Sequence, residues 1–365
     1  MSGTIGATAT AGYGTMTSLV ADAQTVRQKL DQLTTQASTG LIGQTYAALG
    51  AGAPISLELR PQLAAMQTWQ ANIAAATGTM GMTQTALTQL QSIASSFNAQ
   101  LNALNGLNPS EVDTIAASAR QALGQVAGLL DTTDGTTYVF GGADSTNPPV
   151  PNPGGILSSG FYTQINAAVG GLGGAGAAAT AAATLAVAGS NVAGTSPFSA
   201  YMSQPAAVLQ AQIPAVQTGT GQTRSIGLLA SANTYVASTG ASTTGSYMRD
   251  LMRALATIGS LSSAQVNDAG FQGLVQDTRT SLGGVVTAMA QDAGVLGNQQ
   301  TALSGIGTQL QDQTTALTAQ VSPAENVDMA KTLSDLSLVQ TQLQSSYQLI
   351  SGQSGLSLVK FLPLG

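Results

Sequence analysis

The sequence predicts a mainly α-helical protein, built as a long antiparallel helical rod with a small β-rich domain inserted in its middle. Two runs of about 45 residues repeat apolar residues at every seventh position, as coiled-coil-like helices do. Shorter apolar seams occupy both ends of the chain, and a stretch rich in Gly, Ala and Thr separates the two long runs. The matching lengths of the runs predict that the N- and C-terminal helices lie together.

The first 40 residues predict one helix with a single apolar seam. Seam residues alternate by three and four positions, and the helix should end at Gly40. The seam consists of Met16, Leu19, Ala23, Val26, Leu30, Leu33 and Ala37. We interpret residues 1–40 as an assembly helix. Its candidate interface residues are Met16, Leu19, Val26, Leu30 and Leu33.

Residues 41–142 predict the front half of the rod. A glycine-rich loop containing Pro54 comes first. The long run that follows is spaced by sevens and consists of Leu59, Met66, Ile73, Met80, Leu87, Ala94 and Leu101. Asn108-Pro109-Ser110-Glu111 then has the composition of a helix start, with Asn108 as the cap and Pro109 in the first turn.

A short β-hairpin is predicted behind the front helices. Asp134-Gly135 has the composition of a turn, and residues 136–140 form a β-prone run that two glycines close. Two interpretations stay open for Tyr138 and Phe140. They pack the hairpin onto the rod, or they contact an adjacent subunit.

Residues 143–245 predict a variable insert with β-like pieces such as FYTQI, and its sequence indicates no function. Arg224 is the only charged residue between Ser145 and Met248. The uncharged stretch 167–189 is long enough to span a membrane, but it is mostly Ala, Gly and Thr, which insert poorly. We expect a small-residue loop or packed layer there, and no membrane insertion.

The back half of the chain repeats the pattern of the front half. Residues 246–321 predict a long rod helix, whose seam consists of Val275, Leu282, Met289, Leu296, Leu303, Leu310 and Leu317. Residues 322–365 predict a second assembly helix, which should start at Ser322-Pro323-Ala324-Glu325. Its candidate interface residues are Leu333, Leu336, Val339, Leu343, Tyr347 and Ile350.

The assembly helices are expected to need partners beyond their own chain. Six glycines between Gly283 and Gly307 each cost about 1 kcal/mol relative to Ala inside a helix. Few charged pairs are available to compensate for them. The last seam should lie against residues 16–37, but a pair so rich in small residues buries too little surface to be stable alone. The sequence therefore predicts a homo-oligomer.

The amino-acid composition argues against an active site, a metal site and a nucleic-acid binding site. Only 7% of residues are charged, the net charge is -6, and the chain has no His and no Cys. Nucleic-acid binding needs clustered basic residues, and soft metal sites need thiolate or imidazole ligands. The glycines of GGLGG (170–174) lack the following Lys of a phosphate loop, and the spacing of a Ca²⁺ loop is absent. We predict no enzyme activity, no cofactor, no metal and no nucleic-acid partner.

The closest carboxylate pairs have structural interpretations. These pairs are Glu111 with Asp113, Asp131 with Asp134, and Glu325 with Asp328. Both glutamates fall in predicted first helical turns, where the helix dipole stabilises an acid. Asp134 precedes a glycine in a turn, a common position for Asp.

Three segments resemble the bacterial flagellin family, and within it the branch of hook-associated protein 3. QASTGLIGQTYAALG (36–50) is similar to the loop between the first two helices of that family. TTYVFGG (136–142) resembles a Tyr-aliphatic-Phe-x-Gly element of junction proteins, and residues 324–362 resemble the family's C-terminal helix with its Ser-Leu-aliphatic ending. Two departures are Gln44-Thr45-Tyr46-Ala47, where charged residues are usual, and the continuation of the chain past Leu362.

The resemblance implies a structural subunit that is exported unfolded by the flagellar secretion system to the extracellular flagellum. The N-terminus, which lacks the features of a cleaved signal peptide, agrees with this route. The resemblance further implies terminal segments that become ordered on assembly. The implied partners are other copies of the chain, hook-associated protein 1, flagellin and an export chaperone.

The favoured function is a hook-associated junction protein that links the hook to the filament. Filament flagellin is the alternative within the family. Two alternatives from other classes are a secreted membrane-active translocator, which would use residues 167–189, and a cell-surface protein whose middle domain binds glycans.

Overall fold

The computed structural model describes the backbone of residues 6–104 and 109–355, and the side chains of residues 17–102, 104 and 109–352. Within them the fold is mainly α-helical, with long helices and one small two-stranded sheet, which confirms the predicted fold class. The chain divides into two compact units. Unit 1 is Met1–Gln67 with Asp312–Gly365, and unit 2 is Thr68–Gln311.

The helices of the described residues follow one another in this order: α1 (Gly6–Thr39), α2 (Tyr46–Leu49), α3 (Ala53–Ala103), α4 (Pro109–Leu130), α5 (Gly160–Gly170), α6 (Leu172–Ala175), α7 (Ala177–Gly189), α8 (Ala206–Ala211), α9 (Tyr247–Gly259), α10 (Phe271–Glu325) and α11 (Met329–Gly355). Strands β1 (Ala215–Gly219) and β2 (Gln222–Ser225) form an antiparallel hairpin between α8 and α9. Short 3-10 turns cover Gly50–Gly52, Pro153–Ser158 and Ser263–Gln265.

In unit 1, α1 packs along α11, as the two terminal seams predict. Ala23 and Leu33 of α1 and Thr332 and Val339 of α11 are buried. The first helix ends where the sequence predicts, because Gly40 has a φ of +73° and its N–H donates to the carbonyl of Gln36 at 2.8 Å. A left-handed residue at this position is a common way to end a helix, and glycine adopts it without strain.

The predicted helix start at 322–325 is wrong. Helix α10 continues to Glu325 with Pro323 in its last turn, and α11 begins only at Met329. Asp328 is the cap, because its carboxylate accepts from the N–H of Lys331 at 3.1 Å. Proline lacks the N–H that continues a helix, and α10 ends two residues after Pro323.

Pro54 lies in the first turn of α3 and not in the predicted loop. Proline fits a first turn because the N–H groups there have no helical partner. Asn108, the predicted cap of the following helix, lies outside the described residues. That helix is α4, which starts at Pro109 as expected.

In unit 2, α3 and α10 run antiparallel and bury their seven-residue repeats. Arg279 donates to the side-chain oxygen of Asn102 at 2.7 Å, and Gln300 donates to the carbonyl of Thr77 at 3.5 Å. Higher numbers on one helix therefore meet lower numbers on the other. The buried repeat positions are Ile73, Met80, Leu87, Ala94, Leu101, Val275, Leu282, Met289, Leu296, Leu303 and Leu310.

Helix α9 lies at the centre of unit 2, with all its residues buried and with α4, α5 and α7 packed against it. The sequence predicted one long helix over 246–321, but the structure separates α9 from α10. The break begins at Gly259, where a Cβ would lie 2.9 Å from Cγ of Arg120 on α4. Ser262 and Gln265 then form a capping box around the intervening 3-10 turn.

Residues 143–245 contain more helix than the sequence suggested. The segment FYTQI, interpreted as β-like, lies in α5. Ser159 caps this helix, because its hydroxyl accepts from the N–H of Tyr162 at 3.3 Å. The buried residues of α5 follow a helical spacing and not the alternation of a strand. They are Phe161, Tyr162, Ile165 and Val169.

The stretch 167–189 forms the end of α5, then α6 and α7, and it packs into unit 2 as a layer of small residues. Val169, Leu172, Thr180, Thr184 and Ala188 are its buried members. In the part of the chain that the structure describes, no helix combines the length and the apolar character that crossing a bilayer requires.

Candidate assembly interface

The predicted interface residues divide between the α1–α11 contact and the surface of unit 1. Leu33 and Val339 are buried in the contact. Leu333 and Tyr347 are 52% and 49% exposed and therefore lie at its edge. The side chain of Met16 lies outside the described residues. The half-buried members are Leu19, Val26, Leu30, Leu336, Leu343 and Ile350.

Helix α11 carries apolar side chains on both sides of its contact with α1. At about 100° per residue, Leu333 and Tyr347 lie on one side of the contact, and Leu338 and Leu349 lie on the other. Leu338 is 58% exposed and Leu349 is 62% exposed. The search for seven-residue spacing missed this second pair. Its signal is a spacing of eleven residues, which is three helical turns.

The surface of α11 can pack against further helices at a low desolvation cost. Three of its hydroxyl groups already have acceptors, since Thr341, Ser345 and Ser346 each donate to a carbonyl one turn earlier at 2.9–3.0 Å. Polar groups satisfied within their own helix can be buried without a new partner. The exposed leucines of α11, Leu333, Leu338 and Leu349, supply the apolar area that favours burial.

The loops next to α1 and α11 are bonded to each other within unit 1. The N–H of Ile42 donates to the carbonyl of Glu325 at 2.7 Å, and the N–H of Val327 donates to the carbonyl of Gly40 at 2.9 Å. Leu41 and Asn326 form an antiparallel bridge between these two bonds. We call this contact the loop bridge. It joins the segment after α1 to the segment before α11.

Ser56, Arg60 and Glu325 form a polar cluster beside the loop bridge, which we call the Glu325 cluster. Arg60 donates to both carboxylate oxygens of Glu325, with Nε and Nη2 each at 2.7 Å, and the hydroxyl of Ser56 donates to the same carboxylate. The hydrogen bond from Arg60 is the largest cause that lowers the pKa of Glu325. The sequence placed Glu325 in a first turn, but it lies in a last turn, where the helix dipole disfavours an acid and a cation compensates.

The predicted hairpin residues Tyr138 and Phe140 lie in unit 2. Phe140 is fully buried, and its carbonyl accepts from the N–H of Ala230 at 3.1 Å. Tyr138 is half-buried and lines a cavity of about 150 Å³. The described backbone of residues 136–140 forms one isolated bridge, between Tyr138 and Thr133, and no regular strand. Phe140 is therefore buried within unit 2, and a contact of Tyr138 with an adjacent subunit stays a prediction.

The second glycine of TTYVFGG has a steric reason. Gly142 has a φ of +60°, and a Cβ at this position would lie 2.8 Å from Cδ2 of Leu229. The left-handed conformation favours glycine at this position, and a Cβ would also require the side chain of Leu229 to shift.

The predicted carboxylate pairs have separate structural partners. Asp134 accepts from the hydroxyl of Thr79 at 2.7 Å, and this bond is the largest cause that lowers the pKa of Asp134 to about 2. Asp131 accepts from the N–H of Val150 at 2.9 Å, but burial raises its pKa to about 6. Among the described residues, no group of three or more acids is placed to hold a metal ion.

Sequence reasoning missed the buried charges of α9. Arg249 donates to the carbonyl of Ser231 at 2.8 Å, to the carbonyl of Ala188 at 3.0 Å and to Oδ1 of Asn191 at 2.7 Å. Burial is the largest influence on its pKa and lowers it. The guanidinium therefore ties α9 to two separate loops of the insert.

Two more polar contacts join α9 to α10. The hydroxyl of Tyr247 donates to Asp292 at 2.6 Å, and Arg253 pairs with Asp277 at 3.5 Å. Burial raises the pKa of Asp292. The signal in the sequence was YMRDLMR, a short run in which charged and apolar residues alternate at helical spacing. These contacts stabilise unit 2 and place no nucleophile or base in an open site.

Comparison with known protein families finds a match in the front part of the chain and another in the back part. The bacterial flagellin N-terminal helical region matches residues 14–143, and the bacterial flagellin C-terminal helical region matches residues 280–362. A search of curated proteins found no match. The two matched regions include the loop bridge, the Glu325 cluster and most of the α1–α11 contact. Because they together cover more than half of the chain, this protein belongs to the bacterial flagellin family of structural flagellar subunits.

Proposed function

We propose that this chain is the junction subunit that connects the hook of the bacterial flagellum to the filament. Family membership is common to junction and filament subunits. Support for the junction comes from TTYVFGG and from the tail, which resemble junction proteins. The steric need for Gly142 beside Leu229 gives the first of these motifs a structural purpose in this chain.

Subunits are proposed to join through α1 and α11. The observation that carries this proposal is the exposure of five large apolar side chains on α11, three on one side of its contact with α1 and two on the other. Burying these side chains against helices of neighbouring copies stabilises the assembly by about 25 cal/mol for each Å² removed from water. The proposed partners are further copies of the chain, hook-associated protein 1 and flagellin.

A deletion strain tests the junction proposal. Cells without this chain should build hooks of normal length and release monomeric flagellin into the medium, because the filament has no base on which to grow. Expression of the intact chain from a plasmid should restore filaments. Filaments that persist in the deletion strain, or hooks that lengthen, contradict the proposal.

The same strain separates the junction subunit from the filament alternative. If this chain were the filament protein, its deletion would remove the major flagellin from the medium as well as from the cell surface. A purified sample added to hook fragments gives a second comparison by negative-stain microscopy. A short ring on the hook is expected from a junction subunit, and a long filament from a filament subunit.

A further inference from the structure

A cavity of about 150 Å³ lies in unit 2, between the segment 138–145 and the base of the β1–β2 hairpin. The two pieces of chain that form it pair at Gly141 and Leu229 and then separate. The N–H of Ile226 donates to the carbonyl of Pro214 at 2.8 Å, and segment 138–145 closes on itself through a bond of 2.8 Å between its first N–H and its last carbonyl. Backbone groups that could have continued the pairing are therefore bonded elsewhere, and a gap remains between the two pieces.

The walls of this cavity are mainly apolar. Val139, Leu228 and Leu229 line it from the protein interior and are buried. Tyr138 and Ile226 are half-buried and line it nearer to the solvent. Among the described residues that line it, none is charged. A charged group would lose its hydration there without gaining an opposite charge, so the walls disfavour ions.

The polar groups of the walls already have partners within the protein. The hydroxyl groups of Thr79 and Thr137 both donate to Asp134, at 2.7 Å and 3.1 Å. The N–H of Leu229 donates to the hydroxyl of Thr234 at 3.2 Å. None of the buried polar side-chain atoms that lack a partner in the described part of the chain belongs to this cavity. A water molecule needs about two to four polar partners to be held in a cavity, so these walls favour an apolar occupant over water.

We propose that this cavity binds a small uncharged aromatic molecule of about the size of benzene. Apolar cavities of about 150 Å³ in other proteins hold benzene. A planar ring fits these walls, because Tyr138 supplies an aromatic neighbour and because Gly142 and Gly227 present no side chain. This site does not depend on whether the chain acts at the junction or in the filament.

Titration of the full chain, followed by the NMR signals of its methyl groups, tests the proposal. Benzene is the probe, benzoate adds a charge to the same ring, and glycerol is a small polar molecule. Benzene should shift the methyl signals of Val139, Leu228 and Leu229 saturably, with a Kd on the order of 1 mM because the ligand is so small. Benzoate should bind roughly tenfold more weakly or less, and glycerol should cause no saturable shift.

A matched pair of variants localises the binding. Ile226→Phe places a ring in the wall of the cavity and should weaken benzene binding roughly tenfold or more. Ile55→Phe is the same substitution at an exposed position of unit 1 and should leave the binding unchanged. The methyl spectrum of each variant shows whether it is folded.

Val139→Ala tests the site independently of Ile226→Phe. This substitution enlarges the cavity and should lower the Tm of the free protein. A saturating concentration of benzene should then raise its Tm more than it raises the Tm of the intact chain. An equal rise in the two proteins contradicts binding beside Val139.

Three further outcomes overturn the proposal: shifts with benzoate equal to those with benzene, unchanged binding in Ile226→Phe, and an equal loss in Ile55→Phe. Sedimentation velocity identifies a different occupant. If benzene does not bind and Ile226→Phe reduces self-association while Ile55→Phe does not, the cavity holds an apolar side chain of a second copy. That result also overturns the proposal.

Discussion

At the scale of single residues, this chain uses few charges and gives the buried ones specific partners. Arg249 holds two loops to α9 through backbone carbonyls, and Arg60 holds Glu325 at the end of α10. Asp131 is different, because its environment disfavours the charge that it carries at neutral pH. Single substitutions at these positions are therefore expected to change stability in opposite directions.

Asp131→Asn is expected to stabilise unit 2 at pH 7. Burial raises the pKa of Asp131 from 3.8 to about 6, so the folded state favours the neutral carboxyl. This contribution is fully present below pH 3.8 and is lost as the pH rises through about 6. The amide keeps an acceptor for the N–H of Val150. After discounting for solvent, we expect a gain on the order of 1 kcal/mol at pH 7.

Thermal unfolding of both proteins between pH 4 and pH 8 measures this effect, and the difference should grow with pH. Asp134→Asn is the matched control, because hydrogen bonds lower the pKa of Asp134 to about 2 and stabilise its charged form. That substitution should destabilise the protein at pH 7. If the Asp131→Asn protein is no more stable than the original, the raised pKa of Asp131 is contradicted.

The Glu325 cluster is expected to hold unit 1 together. Arg60→Met leaves a largely buried carboxylate with Ser56 as its main partner, so we expect a loss of about 1–2 kcal/mol in the stability of unit 1. Trypsin cleavage at Lys29 and Lys331, one on each terminal helix, should become several-fold faster.

The stability that the Glu325 cluster contributes should also depend on pH. Because the pKa of Glu325 is lowered in the folded state, this stability is present above pH 4.5 and is lost as the pH falls through the folded value.

A double-mutant cycle provides the control for this prediction. Glu325→Gln alone should also accelerate cleavage, and the double substitution should cost less than the two single costs added together. If the costs simply add, the two side chains do not interact.

At the scale of helices, spacing predicted the long elements well and the short buried ones poorly. The seven-residue repeats of α3 and α10 are buried in unit 2 at positions such as Leu87, Leu101 and Leu296. These runs are long and their chemistry is uniform, so a period is easy to recognise. The burial of α9 was missed because its charged residues resemble those of an exposed helix, and only tertiary contacts show that they are buried.

Proline and glycine were the other source of error. The sequence around Pro323 has the composition of a helix start, and it also fits a helix that ends two residues later. The choice between them depends on Glu325, whose partner Arg60 lies 265 residues away in the sequence. No local pattern contains that information.

Gly294→Ala in α10 is expected to stabilise the isolated protein by up to about 1 kcal/mol. Gly294 lies in the helix interior with an exposed surface, and a Cβ there would meet no atom within 4 Å. The substitution therefore reduces the freedom of the unfolded chain without a clash. Urea unfolding followed by circular dichroism measures the change.

Gly259→Ala is the control for this substitution. Its Cβ would lie 2.9 Å from Cγ and 3.4 Å from the backbone nitrogen of Arg120, so we expect it to destabilise unit 2. A loss of stability in Gly294→Ala as well would show that α10 is not a regular helix around this residue.

At the scale of the whole molecule, terminal helices and core are expected to respond separately to mutation. Leu336→Asp combined with Leu343→Asp places two charges at half-buried positions of unit 1. Assembly on hook fragments and motility should be lost. The main unfolding transition should remain, because the largest buried side chains of the described residues lie in unit 2.

Thr341→Asp combined with Gln348→Asp is the matched control. These two residues have the same seven-residue spacing but lie on the exposed side of α11, opposite the contact with α1. Motility should decrease less in this variant than in the leucine variant. Normal motility in the leucine variant contradicts an interface on α11.

Much of the candidate interface could be predicted from spacing, but its exposed part could not. Leu33 and Val339 are buried where the two seams meet, as their spacing implies. Leu338 and Leu349 follow the helical period and not the seven-residue repeat, so they become visible only when the contact with α1 is known. The Glu325 cluster combines residues distant in sequence, and its recognition needs the fold.

The burial of α9 affects the order in which parts of unit 2 can fold while the chain is being synthesised. Arg249 bonds to a carbonyl 61 residues earlier, and Tyr247 bonds to a carboxylate 45 residues later. A ribosome that has made the first 240 residues has therefore produced α4, α5 and α7, which pack against α9, but neither α9 nor α10. Such distant contacts slow folding. The core of unit 2 can therefore be completed only after both α9 and α10 have been synthesised.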